Sequence, residues 1–230
     1  MPGMYTLALL NGGLGTRVAA GQPKQLIRVN HIPAMVYPLV AVDPLPEVTQ
    51  IVLNYPEGWR SEIEKLVKDY AISTPITYVP GGQSRHESVR LMLPHCQNEH
   101  VIVHETARPL VSTADFAELI ASEHENVSFM LEIPFTVAPV EPETRRVTGY
   151  LERDRLRNVQ LPQKFRLSTL EAAHEYAREH DLQFTEDATL CAVAGAEVYF
   201  IPGNDRNFKV TTKTDVKLAG YLLGAEGTDD

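Results

Sequence analysis

The sequence predicts an α/β fold, a mainly parallel sheet with helices on both faces and a projecting β-arm. Three observations predict it. Short apolar runs of strand character alternate with segments whose apolar residues recur at helical spacing through almost the whole chain. The glycine-bearing and charged stretches stand directly after strand-like runs, where parallel sheets carry their ligand loops. One segment, 136–158, breaks the alternation and reads as a hairpin arm inserted between strands. A length of 230 residues suits a single domain with such an excursion, so one domain over 1–230 is expected.

Taken in order, Thr6-Leu7-Ala8-Leu9-Leu10 reads as a buried first strand, followed by the glycine-rich stretch Leu10 to Gln25, LNGGLGTRVAAGQPKQ. Pro33 opens a helix that runs to Val42, since proline suits a first helical position. Gln50 to Leu53 is a second strand. Trp59 to Tyr70 is helical on the spacing of Ile63, Leu66 and Val67. Ile76 to Val79 is a third strand and runs into Pro80-Gly81-Gly82. A helix follows from Ser84 to Leu93. Val101 to His104 is a fourth strand, ending in Glu105-Thr106-Ala107-Arg108-Pro109. Ser112 to Asp115 is a capping-box pattern that opens a helix to about Glu125, and Ser128 to Ile133 is a strand.

In the arm, Pro134, Pro139 and Pro142 interrupt the chain, charges alternate with Val147, Tyr150 and Leu151, and Pro142 to Arg146 lies near the tip. Two lone strands are marginal in water, so the arm needs something to pack on, and a partner subunit is the expected cover. Ser168 to Glu171 is a second capping-box pattern, heading a helix to about His180. A helix starts at Asp187, strands are expected at Val198 to Ile201 and Phe208 to Thr211, and Thr212 to Asp215 caps a final helix through Leu223. Gly224 to Asp230 reads as a frayed tail.

Bulk properties narrow the function. The formal net charge is −9 and no basic block appears, which argues against a nucleic-acid binder. An acidic protein that handles an anionic substrate must gather its cations locally. Cys96 and Cys191 lie far apart with no CxxC spacing and read as reduced, buried thiols. No signal-type N-terminus and no apolar run of membrane-spanning length is present, so a soluble cytoplasmic protein with no membrane partner is expected.

Four stretches carry candidate chemistry. In the first, Gly12, Gly13 and Gly15 let the backbone come close to a ligand and turn its N–H groups toward phosphate oxygens, while Arg17 and Lys24 add positive charge. This reads as a nucleoside-triphosphate site. It is neither a dinucleotide fingerprint, because Val18 stands where the third glycine belongs, nor a P-loop, because Lys24 is followed by Gln25. The plain alternative is a strand-to-helix turn that needs glycine. In the second, Gly81-Gly82-Gln83-Ser84-Arg85-His86-Glu87-Ser88-Val89, Arg85 and Ser88 share one face at a helix start; a solvated arginine is the alternative. In the third, Glu105 puts a carboxylate at a strand end, as Mg²⁺ on a triphosphate requires; a Glu105–Arg108 surface pair is the alternative. His104 beside it reads as oriented or buried, not catalytic. In the fourth, Lys209 in Asn207 to Thr212 is either a phosphate- or metal-site cation or a lysine pointing outward from an edge strand.

Together these residues resemble the family of CTP-dependent polyol-phosphate cytidylyltransferases, whose members include the 2-C-methyl-D-erythritol 4-phosphate and ribitol-5-phosphate enzymes. The matching stretches are GGLGTR with PKQ, GGQSRHESV, HETARP, LPQKF, TEDATL and NFKVTT, in that order, and the similarity runs from Thr6 to about Leu223. The resemblance implies a Rossmann-like α/β domain whose arm makes a homodimer. It implies that Leu10, Asn11, Gly12, Gly13, Leu14, Gly15 and Thr16 wrap the triphosphate, with Arg17 and Lys24 as the catalytic cations. Gly82, Arg85 and Ser88 would hold cytosine and ribose. Glu105, where the family usually has aspartate, would be a ligand of Mg²⁺ and substrate. Arg153 of the arm would reach the acceptor phosphate across the dimer, and Thr185 and Lys209 match further acceptor and metal-site positions. The substrates implied are CTP and a polyol phosphate, joined by in-line attack of the acceptor phosphate on the α-phosphorus with release of pyrophosphate.

The chain also departs from the family. Besides Glu105, Asn11 replaces a small residue, Leu161 replaces a threonine, and Pro134-Phe135-Thr136-Val137 lacks an aspartate–threonine pair. Two other readings stand beside this one. A catalytically weakened, nucleotide-binding partner protein is motivated by Glu105. A NAD(P)-binding oxidoreductase would need an acidic ribose ligand after the second strand, and Asn54-Tyr55-Pro56-Glu57 offers a poor one.

Overall fold

The computed structural model describes residues 3–12 and 23–225. Its centre is a seven-stranded sheet in the order β11-β7-β10-β6-β1-β4-β5. The strands are β1 (Tyr5–Leu10), β4 (Val48–Tyr55), β5 (Ile76–Pro80), β6 (His100–Glu105), β7 (Val127–Glu132), β10 (Arg157–Arg166) and β11 (Tyr199–Pro202). β1 pairs parallel with β4 and β6, β4 with β5, and β7 with β11. β10 alone runs antiparallel, between β6 and β7.

The inner strands are apolar on both sides because both sides are covered. Side chains alternate across a strand, so Leu7 and Leu9 of β1 enter one core while Ala8 and Leu10 enter the other. The first core is closed by α1 (Val36–Val42), α2 (Arg60–Asp69) and α4 (Thr113–Ala121), through Leu39, Ile63, Phe116 and Leu119. The second is closed by α3 (Arg85–Met92), α5 (Leu167–Glu179) and α6 (Asp187–Val193), through Val89, Met92, Leu170, Ala177 and Leu190. The last helix, α7 (Lys213–Ala225), lies against the small hairpin β2 (Arg28–Val29) and β3 (Ile32–Pro33). No helix among the described residues is long and apolar enough to cross a membrane.

Four sequence expectations need correction. Pro33 ends β3 and does not start a helix; α1 begins at Val36. The box at Ser168 does not cap α5, because the helix starts at Leu167, whose N–H goes to the Glu99 carbonyl at 2.8 Å. Phe208 to Thr211 is not a strand: the Val210 N–H bonds the Ala107 carbonyl at 2.7 Å, and Val210 packs with Val29 and Ala219. The arm ends in a full sheet strand, since β10 begins at Arg157 inside the segment assigned to the arm. The cap at Ser112 forms as expected, and Asp215 accepts from the backbone N–H groups of Thr211 and Thr212, each at 2.7 Å. Of the expected tail, 226–230 lies outside the described residues, while Gly224 and Ala225 belong to α7.

The arm itself carries the two-residue ladder of β8 (Val140–Glu141) and β9 (Arg146–Val147) and a 3₁₀ turn at Arg153–Arg155. Phe135, Val140, Val147 and Tyr150 are all exposed on it.

Candidate active site

A cavity of about 440 Å³ opens at the carboxyl ends of β1, β4, β5 and β6. Its lining includes Leu10, Asn11, Gly12, Gly82, Arg85, Ser88, Glu105 and Lys209, so three of the sequence stretches converge here with the described start of the glycine loop. The floor is tied together by backbone and amide groups. The Leu10 carbonyl accepts the Thr106 N–H at 3.0 Å, Gln25 donates its side-chain amide to the Asn11 carbonyl, and the Asn11 N–H donates to Asn54 Oδ1. A Cβ on Gly12 would sit 2.7 Å from Asn54 Nδ2, so a larger residue there would have to displace the Asn54 amide that holds the Asn11 N–H.

The second stretch starts α3 as the sequence predicts. Ser84 caps it by accepting the Glu87 N–H at 3.1 Å. Ser88 Oγ accepts the Gly82 N–H at 3.0 Å, and a Cβ on Gly82 would come within 2.7 Å of Glu87 Cγ. Arg85 is not a solvated arginine. Its Nη2 lies 2.8 Å from Asp187 Oδ2 and 3.4 Å from Glu186 Oε2. Burial works against the charged guanidinium, but Asp187 and Glu186 outweigh it and raise its pKa.

At the end of β6, Glu105 is buried, and both of its oxygens are engaged. Oε2 accepts from Lys209 Nζ at 2.6 Å and Oε1 from Arg108 Nε at 3.0 Å. Arg108 Nη1 donates in turn to the Asn207 carbonyl at 2.8 Å, pinning residues 207–209 to the strand end. Burial pushes the Glu105 pKa up, but the Lys209 and Arg108 cations win and hold it below the usual carboxylate value. The Glu105–Arg108 pair read as a surface contact therefore exists, but inside the cavity wall. His104 is fully buried, its Nε2 3.3 Å from the Arg108 carbonyl, and burial lowers its pKa to about 4. It is buried, as expected. Cys96 and Cys191 are free thiols whose pKa burial raises to about 12.

Other site residues stand apart or outside. Gly13, Leu14, Gly15, Thr16 and Arg17 lie outside the described residues; of Lys24 only the backbone is described, at the start of the 3₁₀ turn Lys24–Leu26. Thr185 is exposed just before α6. Arg153 lies on the arm, away from the cavity lining, with Nη1 3.4 Å from the Pro134 carbonyl. Sequence reasoning gave no role in the site to Arg108, Asn54, Glu186 and Asp187. The signal was present for three of them, because Arg108 sits in HETARP and Glu186 and Asp187 sit in TEDATL.

The donor set for a divalent cation is small. Among the described residues, no group of three or more His, Cys, Asp or Glu side chains could cage a metal ion. The described cavity lining offers one carboxylate, Glu105, whose oxygens already accept from Lys209 and Arg108, so an ion there would have to bring most of its ligands as phosphate oxygens and water, which is how Mg²⁺ is commonly held in phosphate chemistry.

A family model described as IspD, 2-C-methyl-D-erythritol 4-phosphate cytidylyltransferase, matches residues 6–225. A 2-C-methyl-D-erythritol 4-phosphate cytidylyltransferase from Bacillus cytotoxicus is 32% identical over 221 residues, covering 96% of this chain and 98% of that protein. A ribitol-5-phosphate cytidylyltransferase from Lacticaseibacillus paracasei is 28% identical over 233 residues, covering 97% and 100%. The fold is shared with the crystal structure of 4-diphosphocytidyl-2C-methyl-D-erythritol synthase from Anaerococcus prevotii, at a TM-score of 0.84, 23% identity and 97% coverage of both chains.

Proposed function

The chain belongs to the IspD, or 2-C-methyl-D-erythritol 4-phosphate cytidylyltransferase, family, and from that premise we propose how its own residues carry out the reaction. The activity is CTP-dependent transfer of a cytidylyl group to a polyol phosphate. An acceptor phosphate oxygen attacks the α-phosphorus of CTP, the bond to the β-phosphate oxygen breaks, and pyrophosphate leaves. The nucleophile is already an anion, so no covalent enzyme intermediate is needed. The protein contributes position and electrostatic stabilisation.

The observation that carries the assignment of roles is the convergence of Asn11, Gly12, Gly82, Arg85, Ser88, Glu105 and Lys209 on one cavity at the strand ends. Gly82, Arg85 and Ser88 form the wall for base and ribose. The loop from Leu10 to Thr16 wraps the triphosphate, and Arg17 and Lys24 offset charge that builds on the α-phosphate and the leaving group. Glu105 would hold Mg²⁺, which supplies charge neutralisation on the phosphates. Lys209 and Thr185 serve the acceptor. Arg153 is not among the described residues that line the cavity of its own protomer, which supports delivery by the arm to a second copy in a homodimer. The exposed Phe135, Val147 and Tyr150 of the arm fit that assembly. The same reading places the enzyme in the cytoplasm.

The test is pyrophosphate release with CTP and Mg²⁺ against methylerythritol 4-phosphate, ribitol 5-phosphate, glycerol phosphate and other sugar-alcohol phosphates. Release with one acceptor fixes the substrate. Silence across the panel while CTP still binds would favour the weakened, nucleotide-binding reading that Glu105 motivates.

A further inference from the structure

Arg85 lines the cavity, yet its partners belong to the opposite end of the sequence. Asp187, the first residue of α6, is 1% exposed and places Oδ2 2.8 Å from Arg85 Nη2. Its other oxygen faces His174 of α5, 2% exposed, with Nε2 at 3.5 Å. The His174 ring lies against His86, the residue after Arg85, with centroids 4.5 Å apart. Glu186 adds a second carboxylate at 3.4 Å from Arg85 and is itself held by the Gln163 amide at 3.1 Å. Gln163 in turn accepts the Ala188 N–H at 3.2 Å, so the whole start of α6 is fastened to β10.

A buried ion pair of this kind is weak evidence for stability, since apolar residues of similar volume often serve a core as well. What it does supply is a fixed direction. Arg85 Nε and Nη1 are buried with no hydrogen-bond partner among the described residues, so the ion pair fixes the guanidinium without engaging all of its donors. We propose that Asp187, backed by His174, is a positioning residue that sets the Arg85 guanidinium for the nucleotide. The proposal rests on the reading of Arg85 as a nucleotide-binding residue. Asp187 acts through Arg85 and touches no substrate.

The rival explanation is that Asp187 merely favours the N-terminus of α6 by its charge. Steady-state pyrophosphate release with CTP and acceptor varied separately tells the two apart, using Asp187→Asn, Arg85→Ala, their double variant and His174→Gln, each with a melting curve. Asp187→Asn should raise KM for CTP about tenfold, with kcat within about twofold and KM for the acceptor unchanged, the pattern of lost binding at one substrate. The double variant should be no worse than Arg85→Ala alone, because contacting residues that act as one unit are not additive. His174→Gln, which leaves the Arg85–Asp187 pair intact, should raise KM for CTP about threefold by the same logic, and it decides the matter if Asp187→Asn does not fold. Arg85→Ala raising KM while Asp187→Asn (or, in its place, His174→Gln) does not would overturn this proposal alone. So would an Asp187→Asn effect that adds in full to Arg85→Ala. If Arg85→Ala itself leaves KM for CTP unchanged, the nucleotide reading of Arg85 falls, and this proposal falls with it.

Discussion

Replacing Glu105 by aspartate tests why the end of β6 carries the longer acid. A carbon–carbon bond is about 1.5 Å, so the carboxylate withdraws by roughly that much, leaving Lys209 about 4 Å away and Arg108 about 4.5 Å away before any adjustment. The two cations respond differently. Lys209 is 39% exposed in its side chain and stands on a flexible stem, so it can follow. Arg108 is 11% exposed and is held on its other side by the Asn207 carbonyl at 2.8 Å, so it cannot. One charge-assisted hydrogen bond is then lost, at a cost of about 2 kcal/mol. For a chain of this size that corresponds to a fall in Tm of about 4–8 °C. Thermal melts of Glu105→Asp in the wild-type and Arg108→Ala backgrounds measure it, and the loss should shrink by about 1.5 kcal/mol or more once Arg108 is absent. An unchanged Tm in the wild-type background, or the same loss in both, would refute the claim that Glu105 is as long as it is because it spans to Arg108.

Other predictions follow from single side chains. Lys24→Ala should cut kcat by about 100-fold or more while the melting curve stays in place, as expected for a group that stabilises the transition state; an active, folded variant would remove Lys24 from the mechanism. Arg153→Ala should raise KM for the acceptor and not for CTP. Mixing Arg153→Ala with Lys24→Ala chains should restore activity by forming dimers with one intact site, and failure of two refolded, co-assembled variants to complement would argue for arms that serve their own subunit. Lys164 donates Nζ to the Ser122 carbonyl at 2.7 Å, and burial lowers its pKa from 10.5 to about 8. Between those values the folded chain binds fewer protons than the unfolded one, so stability should rise with pH across that window. Melts from pH 8 to 10 should show the rise in the wild type and a flatter profile in Lys164→Met.

Much of the fold was legible because the inner strands β1, β4 and β6 are buried on both sides and read as plain apolar runs. β10 was not, and the reason lies in its side chains. Gln160, Gln163 and Lys164 are all buried in it, and proline interrupts it at a register shift between Gln160 and Gln163. Polar residues and proline speak against a central strand. Here each polar group finds a partner far away in sequence: Gln160 donates to the carbonyls of Asn204 and Asn207, Gln163 to Glu186, and Lys164 to Ser122. A local pattern carries no trace of those partners. The segment 208–211 fails in the opposite direction. Phe208 and Val210 alternate like a strand, but they pack against the α7 side of the fold, with no ladder beside them. In the candidate site, the sequence singled out Glu105, Lys209 and Arg85, which the structure brings to one cavity, yet could not show that the first two touch each other, since 104 positions separate them.

That pairing also divides the labour of the site. The chain carries a formal charge of −9 and has to bind a triphosphate and a second phosphate. Of the cations in the described cavity lining, Lys209 is paired with Glu105, which it shares with Arg108, and Arg85 with Asp187 and Glu186. A paired cation exerts little long-range pull on an anion, but its remaining donors are held in fixed directions. The described wall is therefore suited to orienting base, ribose and acceptor. Net attraction to the phosphates, and the charge that counts as pyrophosphate departs, has to come from elsewhere. Under the proposed function, Arg17 and Lys24 supply it. Losses in the wall should then appear mainly in KM, and losses in the loop mainly in kcat, because only interactions stronger in the transition state than in the ground state accelerate the chemical step.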